Sequence, residues 1–579
     1  MLDLRMFENS DLAFQSENVI THSIAIKKLE NNMTSDSNGS ARWANKEDLI
    51  KEGILHYTSF YPDSAAMKPT RKKAEYLRSD PTKRSFVLAR LGDPAKLTSG
   101  IREGYSQAMG SMFDGLASLF DLSGGRTARK TPQYLGWAGD GHILTVAPTR
   151  SGKGVGLVIP NLLHYPGSVL VIDPKGENYA ITHRFRKEVL KQQIICLDPF
   201  HVVSQNTDSI NPFEGIVDYT KPPKDYHKQN PEIVDEAILI ADALIMRGPE
   251  EKDPHWNDKC RTLLKGFILA VMCGHGPHRR RHLSEVRAVL TSGLDGLIDF
   301  IVRMESDKTS MGGLLKRAFG EIRSMGGEEL KNVISFALKH TEFLDSALME
   351  DALGDKELND AGTYNMRDLK TFGNVSIYMI LPPHYLARYV RVIRLWITMA
   401  MAAMTRSKEK PADGCPVLFM LDEMAQLGTM DMMRQAVSLL AGYGMSIWMI
   451  WQDLSQLKAL YEHDWPSFIA NAKIQQFFGI NDHETAKYIS EMLGAATIEI
   501  ETTSQGVGTG GMGIIRNSTN QSRNTSEISR NLLNPDEVRR LNRNAMLMFV
   551  QGIPPILAER IAYYQDDMFN NRFDPNPYL

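Results

Sequence analysis

The sequence predicts an α/β protein: a mainly parallel sheet interrupted by an inserted all-helical domain. Three observations carry that expectation. From Gly141 onward, short apolar, β-rich runs alternate with helical segments, the rhythm of buried parallel strands. Between about 231 and 366 the strand rhythm stops and only helical periodicity remains, as in "WNDKCRTLLKGFILAVM". It resumes at Asn374, the pattern of one sheet hosting a guest domain.

Bulk properties bound the reading. A chain of 579 residues exceeds one hydrophobic core, so two or three domains are expected. At 42% hydrophobic and 23% charged residues, the composition is that of an ordinary globular protein. A net charge of −3 supplies no global basic field, so any nucleic-acid contact must be local, as in a lined channel. Cys196, Cys260, Cys273 and Cys415 have no ligand spacing and read as reduced thiols, neither a disulfide framework nor a zinc site. The opening "MLDLRMFENSDLAF" is no secretory signal. No apolar run reaches the roughly 18 residues of a spanning helix. Leu395–Met404, flanked by Arg394 and Arg406, reads as a core helix.

In chain order, residues 1–40 read as a flexible arm around "NNMTSDSNGS". Residues 41–135 form an N-terminal segment. It holds a basic stretch, Arg71–Arg84, read as a solvated face, and an amphipathic helix, Ile101–Phe120, expected to pack on a neighbouring domain or subunit. The first part of the nucleotide-binding domain, 136–230, has strand runs at Ile143–Ala147, Ser168–Asp173 and Gln193–Asp198. Helices are expected at Lys153–His164, with Pro160 kinking it or ending its regular part, and at Glu177–Leu190. The all-α domain, 231–366, includes "HRRRH" at His278–His282, read as a solvated loop. The second part of the nucleotide-binding domain, 367–579, has strand runs at Asn374–Leu381, Val417–Asp422, Ser446–Gln452 and Ile474–Ile480. A Gly/Ser/Asn-rich stretch at 505–530 reads as a mobile loop. Its Gly506, Gly508 and Gly511 match GxGxxG formally, but no helix opens after them. "NPDEVRRLN" places Asn534 and Pro535 to start a helix.

The chemistry concentrates at strand ends. "APTRSGKG", Ala147–Gly154, follows a strand and opens a helix, the context a phosphate loop needs. The backbone N–H groups of Thr149, Arg150, Ser151, Gly152, Lys153, Gly154 and Val155 are expected to wrap phosphate oxygens, with the helix dipole behind them. Lys153 reaches the terminal phosphates. Gly154 replaces the hydroxyl residue that usually ligates Mg²⁺, leaving that position to water, Thr149 or Ser151. The partner motif is "PVLFMLDEMAQLG": five apolar residues deliver Asp422 and Glu423 to a strand's carboxyl end. Asp422 is expected to hold Mg²⁺, and Glu423 to orient and deprotonate the attacking water of ATP hydrolysis. Gln452, ending the next strand, is positioned to sense the terminal phosphate or to cap the following helix. Asp173 either shapes the outer site or caps the helix near Glu177. Arg406, Arg434 and Arg530 are conceivable arginines acting on a neighbouring subunit.

Taken together, "GSARWA", "APTRSGKGVGLVIPNLL", "VIDPKGENY", "LDPF", "INPF", "HWNDKCRTLL", "LDEMAQLG", "LLAGYGMSIWMIWQDLSQLK" and "RNLLNPDEVRRL" resemble, in order, the type IV secretion coupling proteins, the TraG-like conjugative DNA-transfer ATPases. That resemblance runs from about Gly39 to beyond Tyr564. It implies a RecA-like P-loop domain, an all-helical domain that meets substrates, and a homo-hexamer around a channel. It also implies ATP and Mg²⁺ as cofactors, single-stranded DNA, a relaxase–DNA complex or effector proteins as cargo, and inner-membrane secretion components as partners. By the same resemblance Gly154 is tolerated, and Lys153, Asp422, Glu423 and Gln452 take the roles given above. The expected place is the cytoplasmic face of the inner membrane. Such proteins usually carry membrane helices before the GSARWA-like stretch. Here thirty-eight polar-to-mixed residues precede Gly39, which leaves open a soluble product, a truncated start or anchoring by a partner; residues 71–125 are the candidate docking segment, to a partner or by peripheral membrane contact. The alternatives are a double-stranded DNA translocase of the segregation type and a nucleotide-bound adaptor that hydrolyses nothing.

Overall fold

The computed structural model describes residues 41–44, 48–49, 54–57, 86–90, 134–246, 255–354, 364–371, 374–507 and 519–578. The basic stretch at Arg71–Arg84 and the amphipathic helix at Ile101–Phe120 lie outside them, as does the arm at 1–40.

Every strand expected from the apolar runs is present. They are β4 (His142–Val146), β5 (Val169–Ile172), β6 (Gln193–Leu197), β7 (Val375–Met379), β8 (Val417–Leu421), β9 (Met445–Trp451) and β10 (Ala472–Phe477). The seven are parallel to one another, in the order β10-β4-β9-β8-β5-β7-β6. β4, β5, β7, β8 and β9 are buried at every position, which is why they read as continuous apolar runs without alternation.

Five further strands extend this sheet and were not expected. They are β1 (Ile54–Tyr57), β2 (Phe86–Arg90), β3 (Tyr134–Trp137), β13 (Ala545–Val550) and β14 (Ile556–Glu559). They continue it antiparallel beyond β10 as β13, β14, β2, β3 and β1. Each is six residues or fewer, too short for periodicity to mark, and apart from the β13–β14 hairpin their partners are distant in sequence.

The helix after β4 begins as a π-helical turn, Gly154–Val158, and passes into α1 (Ile159–Leu162). Pro160 sits in the first turn of α1, where its missing N–H is tolerated, and α1 ends two residues later. Next come α2 (Glu177–Glu188) and a run of helices with no strand among the described residues between 231 and 366. They are α3 (Ile233–Leu244), α4 (His255–Met272), α5 (Leu283–Leu290), α6 (Gly293–Ser306), α7 (Leu314–Arg323), α8 (Gly327–Thr341) and α9 (Ala347–Ala352). Phe267 of α4 stacks on Phe319 of α7 and meets Phe300 of α6 edge-on, each at 5.7 Å. In "HRRRH", Arg280 pairs with Glu285 and Glu350, and His282 caps α5 by accepting from Ser284 N. The chain returns to the sheet through β7 and α10 (Pro383–Thr405). Residues 395–404 of α10 are buried except Met399, as a core helix demands. Among the described residues no helix is long and apolar enough to cross a membrane, and all four cysteines are buried thiols outside any disulfide.

A separate unit contains residues 41–42 and 490–533. It is built on an antiparallel hairpin, β11 (Ala495–Val507) with β12 (Thr519–Asn531), in register from Ala495↔Asn531 to Val507↔Thr519. The mobile-loop expectation for 505–530 therefore needs correction at 505–507 and 519–530, which are strand. Polar arms pair through their backbones, and backbone pairing leaves no apolar signature in the sequence.

Candidate nucleotide site

Parallel pairing sends every strand's carboxyl end to one edge of the sheet. The registers Val146↔Trp451 and Leu421↔Met449 align the ends of β4, β9 and β8. The segments that follow them carry Lys153, Gln452, and the pair Asp422–Glu423. β9 lies between β4 and β8, so Gln452 emerges between the lysine and the acids.

The loop after β4 starts at Ala147, fully buried, whose N–H continues the ladder to Trp451 O at 2.9 Å. Thr149 and Arg150 are exposed at its apex. Arg150 has φ 61° and Gly152 φ 88°, left-handed backbone of the kind used in anion-binding concavities. Ser151 Oγ donates to Pro148 O at 2.6 Å, bracing the turn. Val155 packs its side chain on the core formed by Ile159, Ile181 and Phe185. A Cβ on Gly154 would meet nothing within 4 Å, so sterics do not force the missing hydroxyl.

Lys153 is buried, and its ammonium has no hydrogen-bond partner. Its nearest carboxylate oxygen is Glu423 Oε1 at 3.6 Å. A dry ammonium with unused donors is unfavourable by itself and fits a phosphate oxygen. Glu423 also takes a 2.7 Å hydrogen bond from Gln452 Nε2 at its other oxygen, Oε2. Its backbone is left-handed, φ 57°, and its N–H donates to Asp422 Oδ1 at 3.1 Å. This turn lets two adjacent acids face the same loop. Burial pushes the Asp422 carboxyl up to about 6; the Lys153 ammonium pulls it down and the Glu423 charge pushes it up. A buried carboxylate in that position fits a cation, which would hold it ionised.

Asp173, at the end of β5, is pushed up by burial to about 7, and the Tyr179 N–H bonded at 2.8 Å opposes the rise. It supports the start of α2, and the Asp422 charge adds to its rise. Asp453, not Gln452, caps the helix Leu454–Leu460, accepting from Gln456 N at 2.9 Å. Gln452 is thereby left to Glu423. Arg406 is committed to the buried Glu236 beside Arg367, and Arg434 pairs with Asp464 at 2.9 Å.

Sequence reasoning missed one neighbour of the loop. Arg560, just after β14, donates from Nη1 to Gly152 O at 3.3 Å. No motif surrounds it, and about four hundred residues separate it from the loop, so only the β13–β14 pairing brings it there.

Comparison with known proteins places this arrangement. The family model described as "Type IV secretory system Conjugative DNA transfer" matches residues 117–577. "Conjugal transfer protein TraG" of Escherichia coli is 27% identical over 585 residues, covering 95% of this chain and 80% of its own length. Among solved structures, the plasmid coupling protein TrwB bound to the non-hydrolysable ATP analogue ADPNP aligns at TM-score 0.54 and 15% identity, covering 84% of this chain and 99% of that one. TrwB with ADP and Mg²⁺ aligns at TM-score 0.54 and 15% identity, covering 83% and 95%. At that identity the likeness speaks for the fold.

Proposed function

The chain belongs to the type IV secretory system conjugative DNA-transfer family, and on that premise we propose that it is an ATP-hydrolysing coupling protein. It would recruit a relaxase bound to single-stranded DNA, or effector proteins, and deliver them to a secretion channel. The observation that carries the reading is the convergence of Lys153, Glu423 and Gln452, with Asp422 beside them, on one edge of the sheet.

Lys153 exchanges its 3.6 Å approach to Glu423 for oxygens of the terminal phosphates. The backbone N–H groups of Thr149 to Val155 hold the rest of the phosphate chain. Asp422 would hold Mg²⁺, which supplies charge neutralisation on the β- and γ-phosphates. Glu423 accepts a proton from water as its oxygen bonds to the γ-phosphorus. The bond to the β-phosphate oxygen breaks, leaving ADP and phosphate. Gln452, bonded to Glu423, orients that base and reads whether the γ-phosphate is present. Positioning and charge are most of what this reaction needs from a protein. The ADP·Mg²⁺ and ADPNP complexes of TrwB support ATP and Mg²⁺ as the ligands. Hexamers around a channel, contact with inner-membrane secretion components and a place at the membrane's cytoplasmic face complete the reading.

The test is turnover and transfer with Lys153→Ala and Glu423→Gln. Lys153→Ala should lose nucleotide binding and hydrolysis. Glu423→Gln should keep binding and lose hydrolysis by about 10²-fold or more. Both should stop DNA transfer to recipient cells. Normal transfer by Lys153→Ala would end the motor reading.

A further inference from the structure

Arg560 touches the phosphate loop from the side opposite β9 and β8. Its Nε and Nη2 donate to Arg543 O at 3.2 and 3.0 Å, and its guanidinium lies 5.2 Å from the centre of the Phe478 ring. These contacts hold the group from behind. Nη1 faces the loop through a single 3.3 Å bond to Gly152 O, long for a hydrogen bond. The approach is close enough that a Cβ on Gly152 would come within 2.2 Å of that nitrogen.

The guanidinium has no acid of its own. Burial lowers its proton affinity, and no carboxylate counters that. The nearby acids are engaged elsewhere: Glu559 pairs with Arg90 at 2.8 Å, and Asp566 accepts from Tyr134. Two clefts flank it: one of about 480 Å³, lined by loop residues 148–151 and by Arg539, Arg540, Arg543 and Arg560, has no Asp or Glu in its wall, and one of about 560 Å³, which Gly152 also lines, has Glu559 and Asp566. In a chain of net charge −3, the first of these walls is a local departure. A half-dry guanidinium bonded weakly to a neutral carbonyl gains when an anion replaces that carbonyl.

We infer that Arg560 binds the phosphate chain of the nucleotide held by the loop of its own chain, a cation acting in cis from the end of β14. The inference rests on the nucleotide reading above. Unlike an arginine supplied by a neighbouring subunit, Arg560 acts in the isolated chain.

The test is equilibrium binding of fluorescent N-methylanthraniloyl-ADP with Mg²⁺ to the full chain, diluted until monomeric. Arg560→Ala should bind about 10- to 100-fold more weakly than wild type, the range for a lost charge-assisted bond. Arg560→Lys, which keeps the charge, should recover part of the loss. Arg560→Gln can still donate to Gly152 O but is neutral, and it should stay as weak as Arg560→Ala. Wild-type affinity in Arg560→Gln would assign the residue to bracing the loop and overturn the inference. Unchanged affinity in Arg560→Ala would do the same. Should Arg560→Ala fail to fold, the Lys and Gln variants decide alone. Lys153→Ala separates the two readings. If it abolishes binding while the Arg560 variants bind normally, only this inference falls. If wild type binds no nucleotide, the nucleotide reading falls and takes this one with it.

Discussion

Asp422 carries a charge that burial disfavours. Its folded-state proton affinity is raised by burial to about 6, above the ordinary carboxylate value of 3.8. A raised carboxylate stabilises the fold when protonated and weakens it when ionised. Its penalty is therefore absent below pH 4, grows between about pH 4 and 6, and is complete above that. Asp422→Asn should raise the stability of the nucleotide-free protein at pH 8 by roughly 1–3 kcal/mol, with the difference vanishing near pH 4. Thermal melting across pH reads this directly. A variant less stable than wild type at pH 8 would show that the carboxylate is already compensated by neighbours. If Asp422 holds the cation as proposed, the same variant should also lose stabilisation by Mg²⁺·ADP. Of the site residues, Lys153, Asp422, Glu423 and Gln452 were legible because each follows an apolar strand run within a recognisable motif. Arg560 was not, because a lone arginine after "ILAE" carries no local signal.

Among the elements, α10 does the most to connect the acidic turn to the helical insertion. Its Arg394 is 3% exposed; burial lowers its proton affinity, and the charges of Asp431 and Asp242 partly oppose that. It donates to Leu427 O at 2.7 Å and Thr429 O at 2.9 Å, in the turn that follows Asp422 and Glu423. It also donates to Ala243 O and Ile245 O, both at 3.2 Å, at the end of α3. Four carbonyls at two chain ends thus share one guanidinium. Arg394→Met keeps the volume and removes every donor, so destabilisation of about 3–5 kcal/mol is expected. Denaturant melting checks this; a loss below about 1 kcal/mol would mean that water replaces the guanidinium freely. The sequence marked Arg394 only as the edge of an apolar helix, since its acceptors are backbone atoms that any residue could supply.

Across the whole molecule, stability should be uneven. β4, β8 and β9 have strands on both sides and every residue buried, so their amides should exchange only through global opening. Each arm of the β11–β12 hairpin has one strand partner, and a two-stranded ribbon is marginal by itself. Its amides should exchange at least about 100-fold faster, measured by hydrogen exchange with mass spectrometry; equal protection would contradict this. The chain's own order of residues determined the parallel core, the helical insertion and the two motifs. Strands buried on both faces must be continuously apolar, and phosphate chemistry demands particular residues at short spacing. Only tertiary structure decided that β1, β2, β3, β13 and β14 extend the same sheet, that Gln452 bonds to Glu423, and that Arg560 reaches Gly152. Those facts depend on pairings between segments up to several hundred residues apart, and backbone hydrogen bonding between distant segments leaves no periodicity to read.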